Sequence, residues 1–284
     1  MERAEKNKTL GSTLYLVATP IGNLGDISDR AKKVLCEVDF IAAEDTRNSA
    51  KLLSVLGIRN ELISYHEHNK HEAGEKIVSR LLLGESCALV TDAGMPAISD
   101  PGEDLVRLCY KSGIAVTVIP GACAAVTALA LSGFSTKRFA FEGFLPVNSA
   151  DKKERLETVK NDTRTLIFYE APHKLQKTLK AMADAFGEDR RISLCRELTK
   201  LNEEAREYTL RSAIELYEKN EPRGEYVIIV EGARQSSENN PLCTLPPEEH
   251  VKLYEDEGLS RMDAIKKAAR ERGISKSEMY KLLL

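Results

Sequence analysis

The sequence predicts an α/β protein: two α/β domains followed by a small C-terminal helical unit with helix-turn-helix spacing. Three observations predict it. From Thr13 onward, short runs rich in Val, Ile, Leu and Phe alternate with stretches of helical periodicity. A polar stretch with prolines at 234–247 then breaks the alternation. Beyond it the hydrophobic pattern is helical throughout.

Residues 1–12 read as a charged leader, and 13–133 as the first domain. Thr13–Thr19 reads as a strand and Asp29–Val38 as a helix capped by Ser28. Phe40–Ala43 is a second strand, and Ser49–Leu56 a helix closed by Gly57. Leu62–Tyr65, Cys87–Thr91 and Ala115–Ile119 are further strands; Glu72–Leu83, Glu103–Lys111 and Cys123–Leu131 are the intervening and following helices. Parallel strands need crossovers, so this alternation implies a parallel sheet covered on both faces. The second domain, 134–233, is less regular. Phe139–Phe144, Thr165–Tyr169, Ile192–Arg196, Ala205–Thr209 and Tyr226–Val230 read as strands; Leu156–Lys160, Lys174–Ala185 and Ala213–Glu218 read as helices. Several strands follow one another without a helix, which predicts a mixed sheet.

Residues 234–247 read as a linker and 248–284 as the helical unit, its first helix being Pro247–Glu257. Ser260 caps a second helix that should bury Met262, Ile265 and Ala269 and end at Gly273. Ser275 with Glu278 forms a capping box for a third. A helix, a short turn with glycine and a second capped helix match helix-turn-helix spacing. A plain helical hairpin packed on the body matches it equally well.

Composition narrows the class. The 284 residues carry 41 Lys+Arg against 44 Asp+Glu, a net charge of −3, which excludes nucleic-acid binding by bulk positive charge. Yet 259–284 holds seven basic and three acidic residues, leaving an acidic body with a basic tail. That points to an anionic partner at the tail; the alternative is a solvated helix face. No apolar run approaches the roughly 20 residues a membrane helix needs. Six scattered cysteines without a Cys-x-x-Cys pair suit a reducing cytoplasm, not a disulfide framework or zinc ribbon. A cytoplasmic, membrane-free protein is the expectation.

Four loops containing Gly or Pro follow predicted strands, at 19–26, 91–102, 119–124 and 169–174. In a parallel sheet such loops share the carboxyl edge, where ligands bind. The first is Gly22-x-x-Gly25, not the dinucleotide fingerprint, and no phosphate-binding P-loop motif occurs, so a nicotinamide enzyme is disfavoured. The second is long and offers backbone groups at Gly94 and Gly102 without a blocking Cβ. Gly121, Ala122 and Ala124 in the third leave room for a flat ring or thioether. His66 and His68 stand two apart near a strand end, without zinc-like spacing to further ligands, so no metal is expected. Glu44-Asp45-Thr46-Arg47 reaches the same edge; the alternative role for Glu44 or Asp45 is capping the next helix.

Together, LYLVATPIGNLGD (14–26), AAEDTR (42–47), SYHEHN (64–69), VTDAGMPAISDPG (90–102), VIPGACA (118–124) and FYEAPHK (168–174) resemble the ribosomal RNA small-subunit methyltransferase I family, relatives of the tetrapyrrole methylases. The likeness spans residues 13–233, and the helical unit resembles that family's C-terminal appendage. Departures are the charged leader and Cys123, where the family often has serine. The resemblance implies two α/β domains of the tetrapyrrole-methylase type with S-adenosylmethionine in the cleft between them, and a homodimer. It implies methyl transfer to the ribose 2′-hydroxyl of a cytidine in the decoding region of 16S ribosomal RNA, free or in the small subunit. By position, Pro20, Gly22, Asp92, Gly94, Ile98, Cys123, Ala124 and Tyr169 would line the cofactor pocket.

Methyl transfer from a sulfonium is an in-line displacement, so positioning dominates. A base for the hydroxyl proton would add about 10²–10⁴-fold. Asp45, Glu44 and His66 are the candidates, and water is the alternative acceptor. Arg47 is a candidate phosphate contact, and Lys266, Lys267, Arg270 and Lys276 are candidate RNA contacts on the basic helices. Two rivals stay open: a tetrapyrrole methyltransferase using the same pocket, and a non-catalytic RNA-binding assembly factor.

Overall fold

The computed structural model describes residues 8–233 and 241–283. Most of the charged leader and half of the 234–247 linker lie outside the described residues. The first half runs β1 (Thr13–Val17), α1 (Asp29–Glu37), β2 (Phe40–Ala43), α2 (Thr46–Val55), β3 (Leu62–Ser64), α3 (Lys70–Leu82), β4 (Cys87–Val90), α4 (Glu103–Lys111) and β5 (Ala115–Ile119). Its strands form one parallel sheet in the order β3-β2-β4-β1-β5. Residue alternation along β1 explains the two-sided cover. Leu14 and Leu16 pack with Ile77, Leu81, Leu105 and Cys109 of α3 and α4, whereas Tyr15 and Val17 pack with Ala31, Val34, Leu35 and Leu53 of α1 and α2.

After α5 (Ala124–Leu131) come β6 (Phe139–Phe144), α6 (Ser149–Val159), β7 (Thr165–Glu170), α7 (Pro172–Phe186), β8 (Arg191–Arg196), β9 (Glu204–Thr209), α8 (Leu210–Lys219) and β10 (Tyr226–Val230). The second sheet is mixed, in the order β6-β7-β10-β8-β9, with only β6 and β7 parallel. On one face Phe168, Leu194 and Ile228 meet Leu156, Leu175, Leu179 and Leu210 of α6, α7 and α8. On the other, Ile167, Cys195, Val227 and Ile229 meet Ala125, Ala128 and Leu129 of α5. Thus the helix leaving the last strand of the first sheet is buried on the second sheet. Each fully buried Leu or Ile in these layers contributes about 2 kcal/mol.

Local boundaries differ from the sequence reading where caps decide them. α2 begins at Thr46, not Ser49, because the Asp45 side chain accepts the Arg47 N–H. α6 begins at Ser149, not Leu156, because Asn148 accepts the Ala150 N–H. α8 gains a turn from the reciprocal Thr209–Ser212 capping box.

The C-terminal unit consists of a 3-10 turn (Pro241–Thr244), α9 (Pro247–Asp256), α10 (Arg261–Glu271) and α11 (Lys276–Leu282). Val251, Tyr254, Ala264, Ile265, Ala268, Ala269 and Met279 form its own core. Met262 is 59% exposed, which corrects the expectation that it is buried. The inward stripe of α10 runs through Ala264, Ile265, Ala268 and Ala269, so Met262 faces away from it. Among the described residues no helix is long and apolar enough to cross a membrane.

Candidate active site

The loops after β1, β4 and β5 are stitched together at the carboxyl edge. Thr19 and Gly94 exchange both backbone hydrogen bonds, at 2.9 and 3.1 Å, and the Thr19 hydroxyl donates to the Thr91 carbonyl at 3.1 Å. Gly94 sits at φ +90°, where a Cβ would come within 3.2 Å of Ile21 Cγ2. Gly121 approaches Ala18 so closely that a Cβ would lie 2.8 Å from the Ala18 Cβ. Glycine is required at Gly121 by close approach and at Gly94 by conformation, where a Cβ would also press on the Ile21 side chain.

These loops face the second sheet across a cavity of about 480 Å³, within the range of small-molecule sites. Its first-half wall comes from Ile21, Glu44, the 92–100 loop and Cys123 with Ala124. Its second-half wall comes from Phe144, Tyr169, Glu170, Leu198, Glu225 and Tyr226, among others. The Tyr169 hydroxyl accepts the Ala125 N–H at 3.0 Å, and its ring meets Phe141 and Phe144 edge to face. Burial, and secondarily the Cys123 thiol, pushes the Tyr169 hydroxyl up to about 12. It therefore stays protonated near neutral pH.

Among the residues expected from sequence, Glu44, Asp92, Gly94, Ile98, Cys123, Ala124 and Tyr169 come together on this one cavity. Pro20 and Gly22 flank Ile21 but are not among its lining residues. Gly22 instead packs against Leu198, Thr199 and Lys200, where it joins the first half to the loop after β8. Asp45 and His66 are also outside the lining set. Asp45 caps α2 and grips Arg47, with Oδ1 accepting from Nε at 3.0 Å and Oδ2 from Nη2 at 2.7 Å. These Arg47 contacts hold its carboxyl down at about 2. His66 follows β3, at the edge of the sheet opposite β5, and its Nδ1 is buried without a hydrogen-bond partner. Among the described residues no group of His, Cys, Asp and Glu is arranged to hold a metal ion.

Sequence reasoning missed Asp100. It shares the cavity with Glu44 and Asp92, and burial first, then the Glu44 charge, pushes its carboxyl up to about 6. The signal was present in the strained turn Ala97-Ile98-Ser99-Asp100, but side-chain direction there depends on two non-glycine left-handed residues, Ala97 (φ 67°) and Ser99 (φ 65°).

The cavity is acidic, with Glu44, Asp92, Asp100, Glu170 and Glu225 but no Lys, Arg or His among its described lining residues. Such a site attracts a cationic ligand, not a phosphate. On the C-terminal unit, Lys266 and Arg270 are exposed on α10, and Lys276 lies at the start of α11, near the Tyr280 ring. Lys267 pairs with Glu257 and sits 3.7 Å over the Tyr254 ring. That geometry leaves Lys266 and Arg270 as the freer charges of α10.

The family model of the tetrapyrrole (corrin/porphyrin) methylases matches residues 13–214. The ribosomal RNA small subunit methyltransferase I of Halalkalibacterium halodurans is 48% identical over 272 residues, covering 95% of this chain and 94% of that protein. The protein of the same name from Bacillus subtilis is 47% identical, covering 94% and 92%. A crystal structure of cobalt precorrin-4 methyltransferase superposes with a TM-score of 0.56 at 17% identity, over 78% of this chain and 95% of that one, a likeness of fold alone. The chain belongs to the tetrapyrrole methylase family and, within it, to the ribosomal RNA small subunit methyltransferase I proteins.

Proposed function

We propose that this protein transfers a methyl group from S-adenosylmethionine to the ribose 2′-hydroxyl of a cytidine in 16S ribosomal RNA, in the decoding region of the small subunit. The observation that carries the reading is the single acidic, partly apolar cavity on which the strand-end loops converge. The residues present fit that cofactor. Glu44, Asp92 and Asp100 offer negative charge to a sulfonium and an ammonium group. Ile21, Ile98, Ala124 and Phe144 offer apolar walls to a base and a thioether. Gly94 lets backbone approach where a Cβ would meet Ile21.

When bound, S-adenosylmethionine supplies an activated methyl carbon with a neutral leaving group. The chain's part is to hold the acceptor hydroxyl in line, exclude water and receive the proton. Among the base candidates from sequence, the cavity placement favours Glu44 over Asp45 and His66. Asp45 bound to Arg47 is a weak base, and it positions Arg47, which feels the charge of the cavity residue Asp92, for a phosphate. Lys266, Lys267, Arg270 and Lys276 on the helical unit would grip RNA next to the target. A homodimer in the cytoplasm completes the reading.

The acidic lining also separates the rivals. A tetrapyrrole rich in carboxylates needs basic partners, which this cavity does not offer among the described residues. The test is transfer of tritiated methyl groups to small subunits from cells lacking the protein, followed by nucleoside mapping. Label in 2′-O-methylcytidine is expected. Label in a base, or transfer only to a tetrapyrrole, overturns the proposal, and failure to bind the cofactor by calorimetry would favour the assembly-factor reading.

A further inference from the structure

We infer that a second hollow, beside the acidic cavity, takes a nucleobase that carries an exocyclic amino group, and that the side-chain carbonyls of Gln176 and Asn220 read that group. The inference rests on the methyl-transfer reading and names a specificity device for its RNA substrate.

The hollow has a volume of about 620 Å³ and lies between the start of α7 and the end of α8. Pro172, His173 and Gln176 line it from α7, and Tyr217, Asn220 and Pro222 from the end of α8 and the loop after it. It adjoins the acidic cavity, because Pro172 lines both. The Tyr217 ring of the hollow also meets the Tyr226 ring of the cavity edge to face, with centroids 5.9 Å apart. An RNA strand that delivers one ribose to the cavity therefore brings the attached base, or the base beside it, to this hollow.

The two amides have a fixed sense. Gln176 Nε2 donates to the Tyr217 carbonyl, and Asn220 Nδ2 donates to the Leu216 carbonyl at 2.8 Å. A main-chain carbonyl only accepts, so each amide must turn its nitrogen towards α8. Gln176 Oε1 and Asn220 Oδ1 are left without a partner among the described residues, on a hollow that both residues line. The carbonyl end of α8 adds its negative dipole to theirs. The acids on the rim are already matched, Glu218 with Lys180 at 2.9 Å and Glu221 with Arg223 at 3.4 Å. The open capacity of the hollow is thus neutral acceptors, which suit an uncharged N–H₂ donor.

The remaining walls suit a base as well. The rings of Pro172 and Pro222 and the His173 imidazole offer flat surfaces, and single-stranded bases stack on such rings. Lys219, exposed and without an ion pair among the described residues, stands on the rim for a phosphate. Cytosine presents an amino group where uracil presents a carbonyl oxygen. Two amide oxygens would pair with the first and oppose the second.

The test measures kcat/KM for tritiated methyl transfer to small subunits from cells lacking the protein. The subunits carry either natural RNA or single base changes. One arm replaces the acceptor cytosine by uracil; the others replace each neighbouring amino-bearing base by uracil. In one arm the parent enzyme should lose about tenfold or more, and that arm identifies which base is held. Gln176→Met and Asn220→Ala should each lower the rate on natural RNA, and their penalty should vanish on the changed RNA of that arm, because the partner group is gone. Asn220→Ala keeps the backbone N–H bond from residue 220 to the Leu216 carbonyl, so α8 keeps its end. Calorimetry should give a cofactor Kd within about twofold of the parent in both variants, since neither residue lines the cavity. No loss by the parent in any arm, parental rates of both variants on natural RNA, or an equal penalty on natural and changed RNA overturns the inference while methyl transfer stands. Absence of transfer by the parent to any subunit removes the methyl-transfer reading and this inference with it.

Discussion

The Tyr169 hydroxyl on β7 accepts the backbone N–H of Ala125 in the first turn of α5, at 3.0 Å. One hydrogen bond thus satisfies a helix-start donor and fixes the aromatic wall of the cavity to the helix that leaves the first sheet. Tyr169→Phe keeps the ring and removes the acceptor. Stability should fall by about 1 kcal/mol in urea denaturation. A variant as stable as the parent would show that the bond contributes nothing.

Gly94 lies where three loops meet, at φ +90° and with Ile21 Cγ2 3.2 Å from the position of a Cβ. Gly94→Val should reduce S-adenosylmethionine affinity by at least about tenfold, because the loop must shift to admit the side chain. Calorimetry decides it. Parental affinity in that variant would mean that the Thr19–Gly94 junction does not shape the ligand site.

Asp45 and Arg47 make a pH prediction with a definite sign. The folded carboxyl sits at about 2, below its ordinary value of 3.8. Its contribution to stability is therefore complete above about pH 4 and is lost as pH falls through 2. NMR of the Asp45 carboxyl should show a midpoint near 2 in the parent and a higher one in Arg47→Ala. An ordinary midpoint in the parent contradicts the ion pair.

On the helical unit, Lys266 and Arg270 are exposed on one face of α10. Their double reversal, Lys266→Glu with Arg270→Glu, should weaken binding to small-subunit RNA and flatten its salt dependence by about one unit per lost phosphate contact. Cofactor affinity should not change. RNA affinity and salt slope equal to the parent's would place the RNA contact elsewhere.

His250 is fully buried between α9 and the end of α10: Nε2 meets Glu271 Oε2 at 3.0 Å, and Arg272 Nε donates to Nδ1 at 3.0 Å. Because Nδ1 accepts, Nε2 carries the hydrogen. Tyr254 also donates to Glu271, and Arg272 reaches the Leu245 carbonyl. His250→Ala strands these partners, and should destabilise the helical unit by about 2 kcal/mol. Hydrogen exchange should quicken in 247–283 and remain parental in β1 to β5. Uniform protection across both would mean that the network does not hold the unit together.

How much of this was legible in the sequence follows from the range of the interactions involved. Alternating and helical periodicities act over a few residues, so the parallel first sheet, the mixed second sheet and the caps Ser28, Ser260 and Ser275 with Glu278 could be read directly. The gathering of strand-end loops at one sheet edge followed from parallel topology. What only the tertiary structure decided is which neighbours face the cavity. Glu44 and Asp45 are adjacent, yet one lines the cavity and the other caps α2, because successive side chains leave a strand end in opposite directions. His66 falls away because β3 lies at the far edge of the sheet from β1 and β5, and Met262 because the core stripe of α10 passes beside it. Asp100 faces the other acids through a turn bent at two left-handed residues and held by distant packing. Local pattern specifies the elements; strand order and long-range packing specify the charges around the ligand.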